Sequence, residues 1–304
     1  MEPTAASFPS PADSLAIATY SWGSSASWGS SASRGSSAES PRGVIQIAHG
    51  IAEYALRYDR LAQALVSDGW LVYANDHRGH GESTSDTVPL GSFGDAGWPG
   101  LVEDVVVFSR RLRDAHPGLP LILLGHSMGS FASQEVLLDH SRLYDGVVLT
   151  GSTALDVLAQ GLAAAAGDGP VELTAFNAAF ENRTGYEWLS RDEHEVDAYV
   201  ADPRSGFDLS DDTIPQLFIS APRLGDPDAL SQIVSTLPVL IVSGQDDPLS
   251  GGGQLVEILA QRYRDAGVSD VTLKIYPGAR HEVFNETNRD EITAFVIDWL
   301  DTHA

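Results

Sequence analysis

The chain has 304 residues, with 42 acidic and 18 basic side chains, a formal charge of −24 and no cysteine. That length holds one large α/β domain or two small ones, and the missing cysteines exclude disulfides, thiolate nucleophiles and Cys-based zinc sites. The negative charge argues against nucleic acid or an anionic membrane surface as a partner, since both are polyanions.

Hydrophobic content of 43% and charged content of 20% describe an ordinary globular composition. The first twenty residues lack the basic start and apolar core of a secretory signal. No apolar run approaches the ~18 residues needed to span a bilayer. A soluble cytoplasmic protein is expected.

Residues 1–13 are rich in Pro and Ser and are expected to fray. Leu15 to Trp22 suits an edge strand. Trp22, Trp28 and Arg34 then mark a six-residue W/R-G-S-S-A-S/E repeat in a low-complexity Ser/Gly insert over 22–40. Such composition behaves as flexible coil, here an expanded hairpin loop.

Val44 to Ala48 is a short β run, Tyr54 to Ser67 has helical spacing ended by Gly69, and Trp70 to Asn75 is a second buried strand. Strand, helix and strand at this spacing predict a βαβ unit and a parallel sheet. The loops His49 to Glu53 and Asp76 to Ser83 both leave carboxyl ends of these strands, where ligands bind in such sheets. His77, Arg78 and His80 are assigned to bonding within their loop rather than to a metal or phosphate. Leu101 to Ala115 is an amphipathic helix, broken at Pro117-Gly118.

Leu121 to Leu138, LILLGHSMGSFASQEVLL, reads as a buried strand, a tight turn and a helix opening near Ser130. The turn carries G-x-S-x-G, with Ser127 at its centre. Gly125 and Gly129 let strand and helix approach, and the Ser127 hydroxyl stands over a helix N-terminus that favours developing negative charge. Gly146 to Thr150 is a further strand. From about Ser152 to Thr236 the sequence reads as helices, expected to form a lid over the site. The α/β pattern resumes at Leu237 to Gly244, a helix over about Gly253 to Asp265, a strand at Val271 to Tyr276 and a last helix over about Asn288 to Asp301.

A serine hydroxyl needs a base and an acid. Only an imidazole both takes the serine proton and returns it to a leaving group near neutral pH. Among the chain's nine histidines, His281 sits on the loop after the last strand, downstream of Ser127 and of a strand-end aspartate. His126 is expected to turn away from the Ser127 hydroxyl, and His49 to bond loop backbone. The acid is Asp246 or Asp247, neighbours that point opposite ways on an extended loop. The backbone N–H groups of Ile51 and Met128 are the candidate oxyanion donors, and their side chains are free to line an apolar acyl pocket.

The segments HGIAEYALRY, NDHRGHGES, GHSMGS, WLSRD…VDAYVADP, VSGQDDP and YPGARHEVFNE resemble the α/β-hydrolase superfamily, in its lysophospholipase and monoacylglycerol lipase-like branch. The resemblance runs from about Val44 to Leu300. It implies an α/β-hydrolase fold: a mostly parallel central sheet, helices on both faces and a helical lid inserted after the sixth strand. The implied organisation is a core of 1–151 and 237–304 around a lid of 152–236. In that family the acid is the third residue after the glycine that ends its strand, which is Asp247 here. The resemblance further implies ester hydrolysis through an acyl-enzyme, on a monoacylglycerol, lysophospholipid or short-chain ester, with no metal or cofactor. The Ser/Gly insert and the lack of cysteine are departures that touch none of these residues. Two other functions fit the fold: a proline iminopeptidase-like aminopeptidase, using Asp192, Glu193 or Glu195 to bind an amine, and a non-catalytic binding protein.

Overall fold

A computed structural model describes residues 2–23, 40–165 and 173–303. Strands β1 (Thr4–Pro9), β2 (Ala16–Trp22), β3 (Val44–Ala48), β4 (Leu71–Asn75), β5 (Leu121–His126), β6 (Gly146–Thr150), β7 (Val239–Gly244) and β8 (Val271–Tyr276) form an eight-stranded sheet. Its order is β1-β2-β4-β3-β5-β6-β7-β8. β2 is antiparallel to both β1 and β4, and the remaining neighbours are parallel.

Helices α1 (Asp59–Ser67), α2 (Gly97–Ala115) and α3 (Met128–His140) follow β3, β4 and β5. Between β6 and β7 lie α4 (Leu155–Ala165), α5 (Glu193–Ala201), α6 (Thr213–Leu217), α7 (Ala221–Leu224) and α8 (Pro227–Leu230), with 3-10 turns at Leu173–Ala179 and Glu187–Leu189. This insertion contains no strand among its described residues. Helices α9 (Gln254–Asp265) and α10 (Arg289–His303) complete the chain.

Every residue of β3 to β7 is buried, as expected of parallel strands covered on both faces. Strand alternation divides their side chains between two cores. Val44, Leu121, Leu123, Val147 and Val239 pack with Leu101 and Val105 of α2, Val136 of α3 and Leu259 of α9. Ile45, Ile47, Ile122, Leu124 and Val148 pack on the other face with Leu61 and Leu65 of α1 and Ile292 and Val296 of α10.

The N-terminus differs from its expectation. Instead of fraying, Thr4–Pro9 pairs along its length with β2. Phe8 is buried against Phe108, ring centroids 5.7 Å apart. Ser10 Oγ and Asp13 Oδ2 accept bonds from the buried Arg78 guanidinium, at 2.9 and 3.0 Å. Besides the neighbouring β2, the segment is held by Arg78, some 65 residues away in sequence, a contact that local composition does not show. Trp22 belongs to β2 and donates from Nε1 to Asp59 Oδ1 at 2.8 Å. The Ser/Gly repeat that follows, including Trp28 and Arg34, falls on 24–39, outside the described residues.

Candidate active site

The chain runs from β3 to β4 on one side, then returns to place β5 on the other side of β3. The loops after β3 and β5 therefore diverge at the point where an open α/β sheet forms a crevice. The register pairs Ala48 with Gly125, so His49-Gly50-Ile51 and His126-Ser127-Met128 leave adjacent strand ends. A methyl group on Gly50 would lie 3.2 Å from Ser127 Cβ, which brings the two loops into contact.

Ser127 is the N-cap residue of α3, with φ 50° and ψ −122°. Its N–H donates to the Thr150 carbonyl at 2.9 Å, fixing the turn to the end of β6. A left-handed conformation at a non-glycine residue costs on the order of 1–3 kcal/mol, and such strain clusters at functional sites. The turn is possible because Gly129 has no side chain: a methyl there would overlap the Ala48 carbonyl. Met128 is the first residue of α3, so its N–H has no helical acceptor four residues back.

His281 lies beyond β8, and Asp247 beyond β7. Gly244, which ends β7, lets the two meet, because a methyl there would overlap the carbonyls of Ala279 and Arg280 as that loop crosses. His281 Nδ1 and Asp247 Oδ2 are 3.0 Å apart, both residues buried. Asp247 Oδ1 accepts the Leu249 N–H at 2.9 Å, which orients the carboxylate. An ionised Asp247 accepts from Nδ1–H, leaving Nε2 as the ring's basic atom. Burial alone would lower the His281 pKa, but the Asp247 charge and hydrogen bond, with Glu282 and Glu53 beyond, raise it above the ordinary 6.5. The neighbouring Asp246 is exposed.

Ser127 and His281 line one cavity together with Gly50, Ile51, Leu173, Trp188, Leu189 and Tyr199. The Trp188 ring stands over the His281 ring at 4.7 Å. Ile51 lines this cavity. Met128 does not: its side chain is fully buried in the α2/α3 core. His126, expected to turn away, lines the same cavity, its ring 4.8 Å from that of His281 and its Nδ1 3.0 Å from Thr150 Oγ1. Burial lowers its pKa to about 4, so the ring is neutral at physiological pH. A polar recess adjoins at His126, Glu53 and Glu282, and is lined further by Arg57, Tyr58 and Asn285. Trp188, Tyr199 and Arg57 were invisible as site residues in the sequence; their partners lie on distant segments.

His49 bonds backbone as expected, with Nδ1 2.7 Å from the Gly50 carbonyl and Nε2 accepting the His77 N–H at 2.8 Å. Of the acidic residues offered for amine binding, Glu193 is exposed and the other two are engaged elsewhere. Asp192 pairs with Arg289 at 2.7 Å, and Glu195 with Arg60 at 2.6 Å. Among the described residues no group of three or more His, Asp or Glu side chains is arranged to hold a metal ion, and no helix is long and apolar enough to cross a membrane.

Comparison with known proteins adds to this geometry. The family model described as serine aminopeptidase, S33 matches residues 39–288. A monoacylglycerol lipase of Mycolicibacterium smegmatis is 34% identical over 86% of this chain and 89% of its own. The monoglyceride lipase of Homo sapiens is 30% identical over 81% of this chain and 78% of its own. Among solved structures, a thermostable carboxyl esterase from Bacillus coagulans superposes with a TM-score of 0.82 at 24% identity, covering 100% of this chain and 99% of its own. That last likeness shows the α/β-hydrolase fold.

Proposed function

We propose that this chain, which belongs to the serine aminopeptidase S33 family of α/β-hydrolases and is a carboxylic ester hydrolase, cleaves monoacylglycerols with Ser127 as nucleophile. The observation that carries the reading is a pair of neighbouring cavities of different character that share Glu53, His126 and Glu282. Ser127 and His281 line the first, mostly apolar one with Ile51, Leu173, Trp188 and Leu189, and the second is the more polar, with Arg57, Arg60, Tyr58 and Asn285. An acyl chain suits the first and a hydroxylated alcohol the second. The similarity to monoacylglycerol lipases supports the same substrate class.

In this mechanism Ser127 Oγ bonds to the ester carbonyl carbon while His281 Nε2 takes its proton. Asp247, bonded to Nδ1 at 3.0 Å, holds the imidazole in the right tautomer and stabilises the imidazolium. The Ile51 and Met128 N–H groups receive the oxyanion. The tetrahedral adduct then expels the alcohol, which leaves with the proton from His281. Water, deprotonated by His281, attacks the acyl-enzyme and releases the fatty acid and Ser127. The insertion over 152–236 acts as the lid of this site, supplying Leu173, Trp188, Leu189 and Tyr199 to the cavity. The proposal carries with it a cytoplasmic location, which cell fractionation tests.

Ser127→Ala is expected to lower kcat by about 10⁴–10⁶ with an unchanged fold, and a fluorophosphonate should label the wild type once, at Ser127. Monoacylglycerols should give a higher kcat/KM than lysophospholipids, p-nitrophenyl esters or an aminoacyl anilide. Preference for the anilide would overturn the substrate class, and wild-type turnover by Ser127→Ala would overturn the mechanism.

A further inference from the structure

Glu282 follows His281 directly, and Arg57 grips its carboxylate twice, Nη1 to Oε1 at 2.6 Å and Nη2 to Oε2 at 2.8 Å. Arg57 Nη1 also reaches Glu53 Oε2 at 2.6 Å. Glu53 Oε1 in turn accepts the Gly50 N–H at 2.5 Å and the Tyr58 hydroxyl at 2.8 Å. The three charged side chains are only 4 to 11% exposed. Burying each ion costs several kcal/mol, and apolar packing often serves stability equally well. A guanidinium between two carboxylates therefore calls for a reason beyond stability.

Two consequences follow from the geometry. The chain of bonds runs from the residue beside His281 to Gly50, the residue before Ile51, so it ties the loop of the base to the loop of an oxyanion donor. One guanidinium against two carboxylates also leaves a net negative charge beside His281. Arg57 holds the Glu282 pKa down to about 2 despite burial, so Glu282 itself stays charged through the working pH range.

We infer that Glu282 is a positioning residue of the ester-cleaving site: its fork on Arg57 braces the His281 loop against the Gly50–Ile51 loop, and its charge stabilises the imidazolium formed when Ser127 gives up its proton. This rests on the reading of Ser127 and His281 as nucleophile and base. The groups facing His281 are Asp247 from beyond β7, His126 from the end of β5, Glu53 and Arg57 around the loop after β3, and Glu282 itself. Asp247 makes the direct bond, His126 is neutral, and Arg57 partly offsets the two glutamates. The share left to Glu282 is a fraction of the Asp247 effect, yet measurable.

The test is a pH profile from 5 to 9 on a p-nitrophenyl ester, comparing wild type with Glu282→Gln, after thermal melts confirm both folded. The expected result is a kcat lower by about tenfold, KM within about threefold, and an acid limb of kcat/KM displaced downward by about half a pH unit. A role in packing alone would lower the melting temperature and leave the limb in place; an unmoved limb, or an unchanged kcat, overturns the inference. If Glu282→Gln does not fold, Glu282→Asp keeps the charge and shortens the brace: a lowered kcat at an unmoved limb supports the inference, and an unchanged kcat overturns it. Fluorophosphonate labelling separates the two layers. A wild type that is not labelled at Ser127 sinks the nucleophile and this inference with it, whereas a labelled wild type with an unmoved Glu282→Gln limb sinks the inference alone.

Discussion

The loops after β3 and β4 leave neighbouring strands at the same edge of the sheet, and both are dense in histidine and charge. The first, His49 to Glu53, reaches the cavity: Gly50, Ile51 and Glu53 line it, and Glu53 enters an ionic bridge that ends beside His281. The second, Asp76 to Ser83, turns inward. Arg78 there is fully buried, bonded to Asp104 and Asp13 at 3.0 Å each and to the Phe93 carbonyl at 3.1 Å. His77 and His80 pack against His49 with tilted rings, centroids 4.3 and 5.4 Å away. Desolvation takes the pKa values of His49 and His80 down to about 3 and that of His77 well below its ordinary value. Similar residue types thus serve two purposes. In the first loop a charge reaches the cavity, whereas in the second the charge pairs inside the fold and the imidazoles are held neutral by burial.

That contrast can be broken first at the acid. Asp247→Asn should lower kcat by about 10⁴, since an amide favours the wrong imidazole tautomer, while matched thermal melts show a folded protein. Asp246→Asn, on the exposed neighbour, should stay within about tenfold of wild type. The reverse pattern would place the acid one residue earlier, against the 3.0 Å bond to His281.

On the scaffold side the expected loss is of stability rather than of rate. Arg78→Met leaves Asp104 buried without its counter-charge and releases Ser10 and Asp13 of the N-terminal segment. Urea unfolding should report a loss of about 3–5 kcal/mol, with kcat per folded molecule unchanged. A kcat that falls with stability intact would mean that the second loop also belongs to the reaction.

The smallest expected effect sharpens the same distinction by pH. The clustered histidines titrate below their unfolded value near 6.5, so between about 3 and 6.5 the unfolded chain binds more protons than the folded one. Their stabilisation is therefore present above about pH 6.5 and is lost as pH falls, by about 1.4 kcal/mol per pH unit for each fully shifted imidazole. His80→Gln should flatten the fall in melting temperature between pH 6.5 and 4; an unaltered slope would contradict the neutral cluster. His281 behaves oppositely. Its raised pKa should set the acid limb of kcat/KM above 6.5, where activity appears as the imidazole loses its proton.

Much of this architecture was determined by sequence alone, because the deciding patterns are local. Five-residue apolar runs bounded by glycine, with helical spacing between them, specify parallel strands and crossovers. G-x-S-x-G between strand and helix specifies a strained turn, which Ser127 adopts at φ 50°. The chain order of serine, aspartate and histidine pointed to Ser127, His281 and one of Asp246 and Asp247, with Asp247 implied by the family resemblance; the fold brings Asp247 to 3.0 Å from His281. What only the tertiary structure decided are pairings across long separations. Arg78 meets Asp13 across 65 residues, Arg57 meets Glu282 across 225, and the Tyr199 hydroxyl donates to the Ala52 carbonyl across 147. No periodicity encodes such contacts, since each partner alone reads as an ordinary solvated charge or aromatic. Burial removes the water that would otherwise satisfy these groups, so they must find one another in the fold.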